Sequence, residues 1–123
     1  MKIILDTHIF LRAVAEPEKL SAEQIEMIER LSNTIYVSAV TITEIMIKAS
    51  TGKLQIAFDP VAIAKESGFE LLDFSAEDAS VLKTMPFHHK DPFARMLISQ
   101  ALNRKYALMS NDGKFGAYGC KLV

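Results

Sequence analysis

Cysteine occurs once in these 123 residues, tryptophan not at all, and neither charge sign dominates. A single thiol, Cys120, has no partner within the chain. That excludes a disulfide-stapled scaffold, points to a reducing compartment, and leaves Cys120 a packing role in a late strand. No apolar run approaches the roughly 20 residues of a membrane helix. Asp6 interrupts the apolar start MKIILDTHIF before it reaches signal-peptide length. A cytoplasmic protein without membrane association is expected. The net charge of −1 lacks the basic excess of a passive nucleic-acid binder. A nuclease is still allowed, because metal-binding acids cancel bases in the count and bound cations reverse the local sign.

The remainder is an ordinary globular mixture, 50% hydrophobic and 24% charged, enough for one core over residues 1–123. Residues 2–5 read as a buried strand ending at Asp6, and Thr7 opens a helix to about Ala15. Ser21 and Gln24 form a capping-box pattern ahead of Ile25, Ile28 and Leu31. Residues 35–38 form a second strand, and 40–50 a helix with Ile42, Ile45, Met46 and Ala49 on one face. Gly52 is placed to end that helix in a left-handed conformation. Asp59-Pro60 starts another helix, closed by Gly68. A third strand over 69–72 leads to a helix opened by Ser75 and Asp78 and stopped by Pro86. Asp91-Pro92 opens the best-patterned helix, with Phe93, Met96, Leu97, Ala101 and Leu102 inward. Residues 107–110 form a fourth strand, Asn111-Asp112-Gly113 a turn, and 120–123 a short last strand. Alternating strands and helices predict an α/β fold whose mainly parallel sheet is covered on both faces.

In such sheets ligands gather beyond the carboxyl ends of the strands, where strand order reverses. Asp6 follows the first strand, Asp112 lies just past the fourth, Glu44 sits on the helix after the second, and Asp91 opens the helix before the fourth. Each has a local alternative. Asp6 and Asp91 suit helix N-caps, and Asp112 suits a turn. Glu44 interrupts an apolar face, where an unpaired carboxylate is costly. Clustered carboxylates repel unless a cation joins them. Oxygen-only ligands favour a hard ion, Mg²⁺ or Mn²⁺, and such ions suit phosphodiester cleavage.

Four segments, LDTHIFL, SAVTITEIMIKASTGKL, HHKDPFARMLISQAL and SNDGKFGAYG, together resemble the PIN-domain family, in particular its VapC-like toxins of bacterial toxin–antitoxin pairs. The resemblance implies a three-layer α/β/α sandwich and a Mg²⁺- or Mn²⁺-dependent endoribonuclease cutting RNA. It places the metal-holding, catalytic acids at Asp6, Glu44, Asp91 and Asp112, with Ser110 and Thr7 in support. It also implies a homodimer and a small cognate antitoxin. Relatives often carry a second Asp three residues after the one in DPF; here that position is Ala94, which puts a tightly held second metal in doubt. A stand-alone RNA-processing nuclease is the alternative within the class.

His89, Lys90 and Arg95 are candidates for contacting substrate phosphates, beside the plainer reading of a solvated loop and surface charge. Lys48 is read as surface charge and His8 as an ordinary helix residue. A phosphotransfer or receiver-type module also uses acids at strand ends. The former would carry a second Asp two residues after Asp6, where this chain has His8.

Overall fold

The computed structural model describes residues 1–123. Four short strands, β1 (Lys2–Leu5), β2 (Thr34–Ser38), β3 (Glu70–Leu72) and β4 (Ala107–Met109), form a parallel sheet in the order β3-β2-β1-β4. Parallel neighbours require crossovers, and helices supply them. They are α1 (Thr7–Ala15) and α2 (Ala22–Glu29), then α3 (Ala39–Ser50) and α4 (Pro60–Glu66), then α5 (Ala76–Ser80) and α6 (Pro92–Arg104). The result is a three-layer α/β/α sandwich with a core on each side of the sheet.

Strand periodicity divides those cores. Ile3, Leu5, Ile35, Val37, Ala107 and Met109 face one side with Ile9, Phe10, Ile45 and Phe69. Ile4 and Leu108 face the other, against Val40, Leu97, Ile98 and Phe115. Both faces of β1 and β4 are therefore apolar, which is why these strands read as continuous hydrophobic runs without alternation.

The expected helix starts are present. Ser21 and Gln24 make the reciprocal capping box, as do Ser75 and Asp78. Gly52 and Gly68 take positive φ values of 74° and 82° just beyond α3 and α4.

Three expectations are refined. On α6 Leu97 and Ala101 are buried as expected, with Ala94 and Ile98 beside them, and Phe93, Met96 and Leu102 pack half-buried against the same core. The buried set has i, i+3, i+4, i+7 spacing, and the buried Gln100 beside it donates to Asp73 O at 3.0 Å. On α3, Met46 is 42% exposed; the inner face runs through Thr41, Glu44 and Ile45. That face is partly polar because it borders the site described below. Finally, the last residues form no strand. A single parallel bridge joins Leu122 to Leu108, and Cys120 packs half-buried, its thiol donating to Phe115 O at 3.4 Å.

A buried carboxylate ties the third crossover together. Asp78, with no exposed surface, accepts from Ser75 N at 3.0 Å, Asn103 Nδ2 at 2.8 Å and Arg104 Nη2 at 3.1 Å. Burial by itself would raise its pKa, but these donors, Arg104 above all, outweigh burial and hold it below the usual carboxylate value. A lowered native pKa means the unfolded chain takes up protons first as pH falls. The stabilisation is therefore complete above the ordinary Asp value of 3.8 and is lost as pH drops through the native one.

Asp78→Ala is expected to lower unfolding free energy by about 3 kcal/mol, because it leaves Arg104 without its buried partner. Urea denaturation at neutral pH measures this. A loss below about 0.5 kcal/mol, the scale of an ordinary surface change, would show that the clamp is not structural.

Candidate functional site

The chain leaves β1 toward β2 and β3 on one side and returns to β4 on the other, so strand order reverses between β1 and β4. These strands pair directly, and Asp6 N donates to Met109 O at 3.0 Å. At their carboxyl ends an open pocket of about 260 Å³ is lined by Asp6, Thr7, His8, Glu44, His89, Asp91, Ala94, Leu97, Asp112 and Phe115. Four acids spread over more than a hundred positions of sequence thus share one pocket.

Three of the four are helix caps at the same time. Asp6 Oδ1 accepts from Ile9 N at 2.8 Å and opens α1. Asp91 Oδ1 accepts from Phe93 N at 3.0 Å and opens α6. Asp112 Oδ1 accepts from Lys114 N at 2.9 Å and opens a 3₁₀ turn over Gly113–Tyr118. The structural and functional readings of these residues do not compete. One oxygen fixes the side chain to its own helix, the second oxygen of Asp112 meets His89, and all three residues still line the pocket. The positive ends of these helical segments also favour anionic side chains there.

Glu44 reaches the pocket from the inner face of α3 and is almost fully buried. Its Oε1 accepts from Thr7 Oγ1 at 2.8 Å, and that hydroxyl lies 3.2 Å from Thr41 Oγ1. Its Oε2 accepts from Lys48 Nζ at 2.5 Å. Asp112 Oδ2 is 2.7 Å from His89 Nε2, and Ser110 Oγ accepts from Asp112 N at 3.0 Å.

The electrostatics of the two acids at the β1–β4 crevice diverge. Burial pushes the Asp6 carboxyl up, against the Ser110 hydroxyl and the Ile9 N–H, and the negative Asp112 nearby adds to the rise. Asp112 goes the other way. Burial would raise it too, but the Lys114 N–H and the His89 imidazole hold it below the usual range. Asp6 is thus a buried carboxylate without a full counter-charge.

Thr7 and Ser110 both touch site acids. Ala94 forms part of the pocket wall, so the position that lacks a carboxylate does face the site. Lys90 is exposed and not on the wall. Arg95 is spent elsewhere: its guanidinium donates to Pro86 O at 2.9 Å and the Tyr118 hydroxyl at 3.2 Å, and lies over the Phe87 ring. His8, a residue of α1, is exposed and lines the pocket rim. Lys48, read as surface charge, pairs with Glu44; the i, i+4 spacing with Glu first was the available signal. Thr41 had no signal, since a threonine within a helix is unremarkable until its neighbours are known. A larger hollow of about 670 Å³ lies at the amino ends of β2 and β3, walled by Leu20, Ile25, Ile28, Leu31 and Phe69, and contains none of the four acids.

A family model for the PIN domain matches residues 3–119. No curated protein matches the sequence significantly. Among solved structures, VapBC2 from Rickettsia felis, bound to a DNA fragment from its promoter, is similar with a TM-score of 0.76 at 18% identity, over 100% of this chain and 98% of that one. DNA-bound VapBC from Salmonella typhimurium gives 0.75 at 18% identity, over 100% and 97%. The PIN domain endonuclease Utp24 gives 0.54 at 16%, over 94% and 74%. At these identities the structural likeness establishes a common fold.

Asp6→Asn retains a capping side chain and removes the buried charge. A raised native pKa means the folded state holds its proton longer than the unfolded one. Stability therefore declines as pH climbs from 3.8 through the native value. In chelator-treated buffer at neutral pH the variant should be more stable than wild type by about 1 kcal/mol, with no gain below pH 3.8. Calorimetry across that pH range checks it, and a destabilised variant at neutral pH refutes the electrostatic account.

Proposed function

The chain belongs to the PIN domain family, and on that premise we propose that it is a Mg²⁺- or Mn²⁺-dependent endoribonuclease, the toxin of a type II toxin–antitoxin pair. The observation that carries this reading is the convergence of Asp6, Glu44, Asp91 and Asp112 on one pocket at the reversal of strand order.

The donor set fits a hard divalent ion: carboxylates and hydroxyls, with desolvated Asp6 lacking a full counter-charge. As placed, no three acidic or histidine side chains close around one point, and Glu44 is engaged by Lys48. Holding an ion therefore requires these side chains to rearrange, with Glu44 exchanging Lys48 for the cation. Asp6, Asp91 and Asp112 would hold it with Glu44. When bound, such an ion supplies a more acidic water and positive charge against the phosphate.

The chain's own groups do the remaining work. The caps on Ile9, Phe93 and Lys114 keep three carboxylates from swinging away. Thr7 orients Glu44 through Oε1, leaving Oε2 to exchange its partner. Leu97 and Phe115 make the pocket's apolar walls, which lower the local dielectric and strengthen every charge interaction inside. With Ala94 in the wall, a second ion would depend on ligands from the RNA itself. Lys90, exposed next to Asp91, is the remaining candidate for a phosphate contact.

A small antitoxin as partner is supported by the likeness to VapBC assemblies over the whole chain. Together with a homodimer in the cytoplasm it completes the reading. No helix is long and apolar enough to cross a membrane.

Purified protein should cut total RNA with Mg²⁺ or Mn²⁺ and not with chelator, and Asp6→Asn should slow cutting at least roughly a hundredfold. Equal rates for the two proteins would reject the assignment. Light scattering should report a dimer, and a small protein should copurify from the native host; a monomer with no small partner removes the toxin–antitoxin part alone.

A further inference from the structure

His89 touches two of the four acids. Its Nδ1 accepts from the Asp91 backbone N–H at 3.1 Å, and its Nε2 lies 2.7 Å from Asp112 Oδ2. A backbone N–H can only donate, so Nδ1 presents its lone pair there. The ring proton of the neutral imidazole is therefore on Nε2, donating to the Asp112 carboxylate. One ring spans the gap between the start of α6 and the turn after β4, two segments 23 residues apart along the sequence.

The ring itself is fixed. It packs edge-to-face on the buried Phe115 at 5.7 Å, and its side chain is 12% exposed. The His89 backbone N–H donates to the Tyr118 hydroxyl at 2.7 Å, as does that of His88 at 2.9 Å. Tyr118 and Phe115 both belong to the 3₁₀ turn that Asp112 caps. The loop before α6 and the turn after β4 are thus bound through backbone, ring stack and imidazole together. Both ring nitrogens are engaged within the chain, so neither is free for a substrate phosphate, a contact for which His89 was one candidate.

We propose that His89 is a positioning residue, a strut whose Nε2–H ties the Asp112 carboxylate to the backbone at the start of α6 and so keeps it beside Asp91 on the wall of one pocket, where both can serve a divalent cation. It touches neither ion nor RNA in this role. Histidine suits the task because its rigid ring offers an acceptor and a donor on opposite sides at constant spacing. Partners that orient metal-binding carboxylates in this way are worth about 10–100-fold in metal affinity.

The inference rests on the metal-nuclease reading, and three variants separate the ring's two bonds. His89→Gln places a donor near the Nε2 position without the Nδ1 acceptor. His89→Asn places an acceptor near Nδ1 without the donor. His89→Ala has neither. Mn²⁺ affinity, followed by electron paramagnetic resonance without RNA, should fall about tenfold in His89→Ala and similarly in His89→Asn. His89→Gln should lie nearer to wild type than to His89→Ala. A merely structural residue would not produce that order. Wild-type affinity in all three variants, or a glutamine variant as weak as alanine, overturns the proposal. Nitrogen-15 spectra of the neutral imidazole in chelator-treated wild type should show the proton on Nε2; a proton on Nδ1 also overturns it. Wild type that takes up no Mn²⁺ would sink the metal reading, and the proposal falls with it; a binding wild type with unaffected variants sinks the strut alone.

Discussion

A carboxylate has two oxygens, and this fold uses them separately. Asp6, Asp91 and Asp112 each give one oxygen to the first free N–H groups of their own helical segment. That bond offsets a backbone donor that would otherwise go unsatisfied. It also removes most of the side chain's rotational freedom before any ligand arrives. The cap therefore does part of the ordering that a binding site needs, on three residues that line one pocket. Strand ends, helix starts and site residues coincide because the same side chains serve all three.

This arrangement depends on where the helices begin, and that depends on the sheet. Parallel strands put every strand-to-helix turn at the same edge. The return of the chain to β4, beside β1, brings the turns after these two strands together. Cores on both faces hold the sheet flat against its helices. The third crossover is secured by Asp78, whose bonds to Arg104 and Asn103 join α5 to α6. Asp91 caps the start of α6, so the helix that Asp78 anchors near its end has a pocket residue at its beginning.

Neighbouring bases moderate the acidic pocket without neutralising it. Lys48 sits on Glu44 and His89 on Asp112, while Asp6 has hydrogen bonds but no base in contact. Burial raises the Asp6 carboxyl, whereas at Asp112 the Lys114 N–H and the His89 imidazole outweigh burial and lower it.

The layered α/β fold, nearly every helix start, and the four acids were all legible in the linear order of residues. These features follow from local rules: apolar runs, capping residues and punctuation by proline and glycine act within a few positions. Strand-end acids point to a site because parallel topology places such residues on one edge. The inner faces of α3 and α6 were legible through Ile45, Leu97 and Ala101, but the exposure of Met46 and the burial of Ala94 were not, because packing of other elements decides them. The roles of His89, Arg95 and Lys48 were undetermined for a related reason. A histidine, arginine or lysine near a site has many partners within reach, and tertiary structure alone decides among them. It spent Arg95 on Tyr118 and Pro86, aimed Lys48 at Glu44, and set His89 between two acids. The residue types and their order along the chain thus specified what chemistry was possible; the three-dimensional packing specified which oxygen faces which nitrogen.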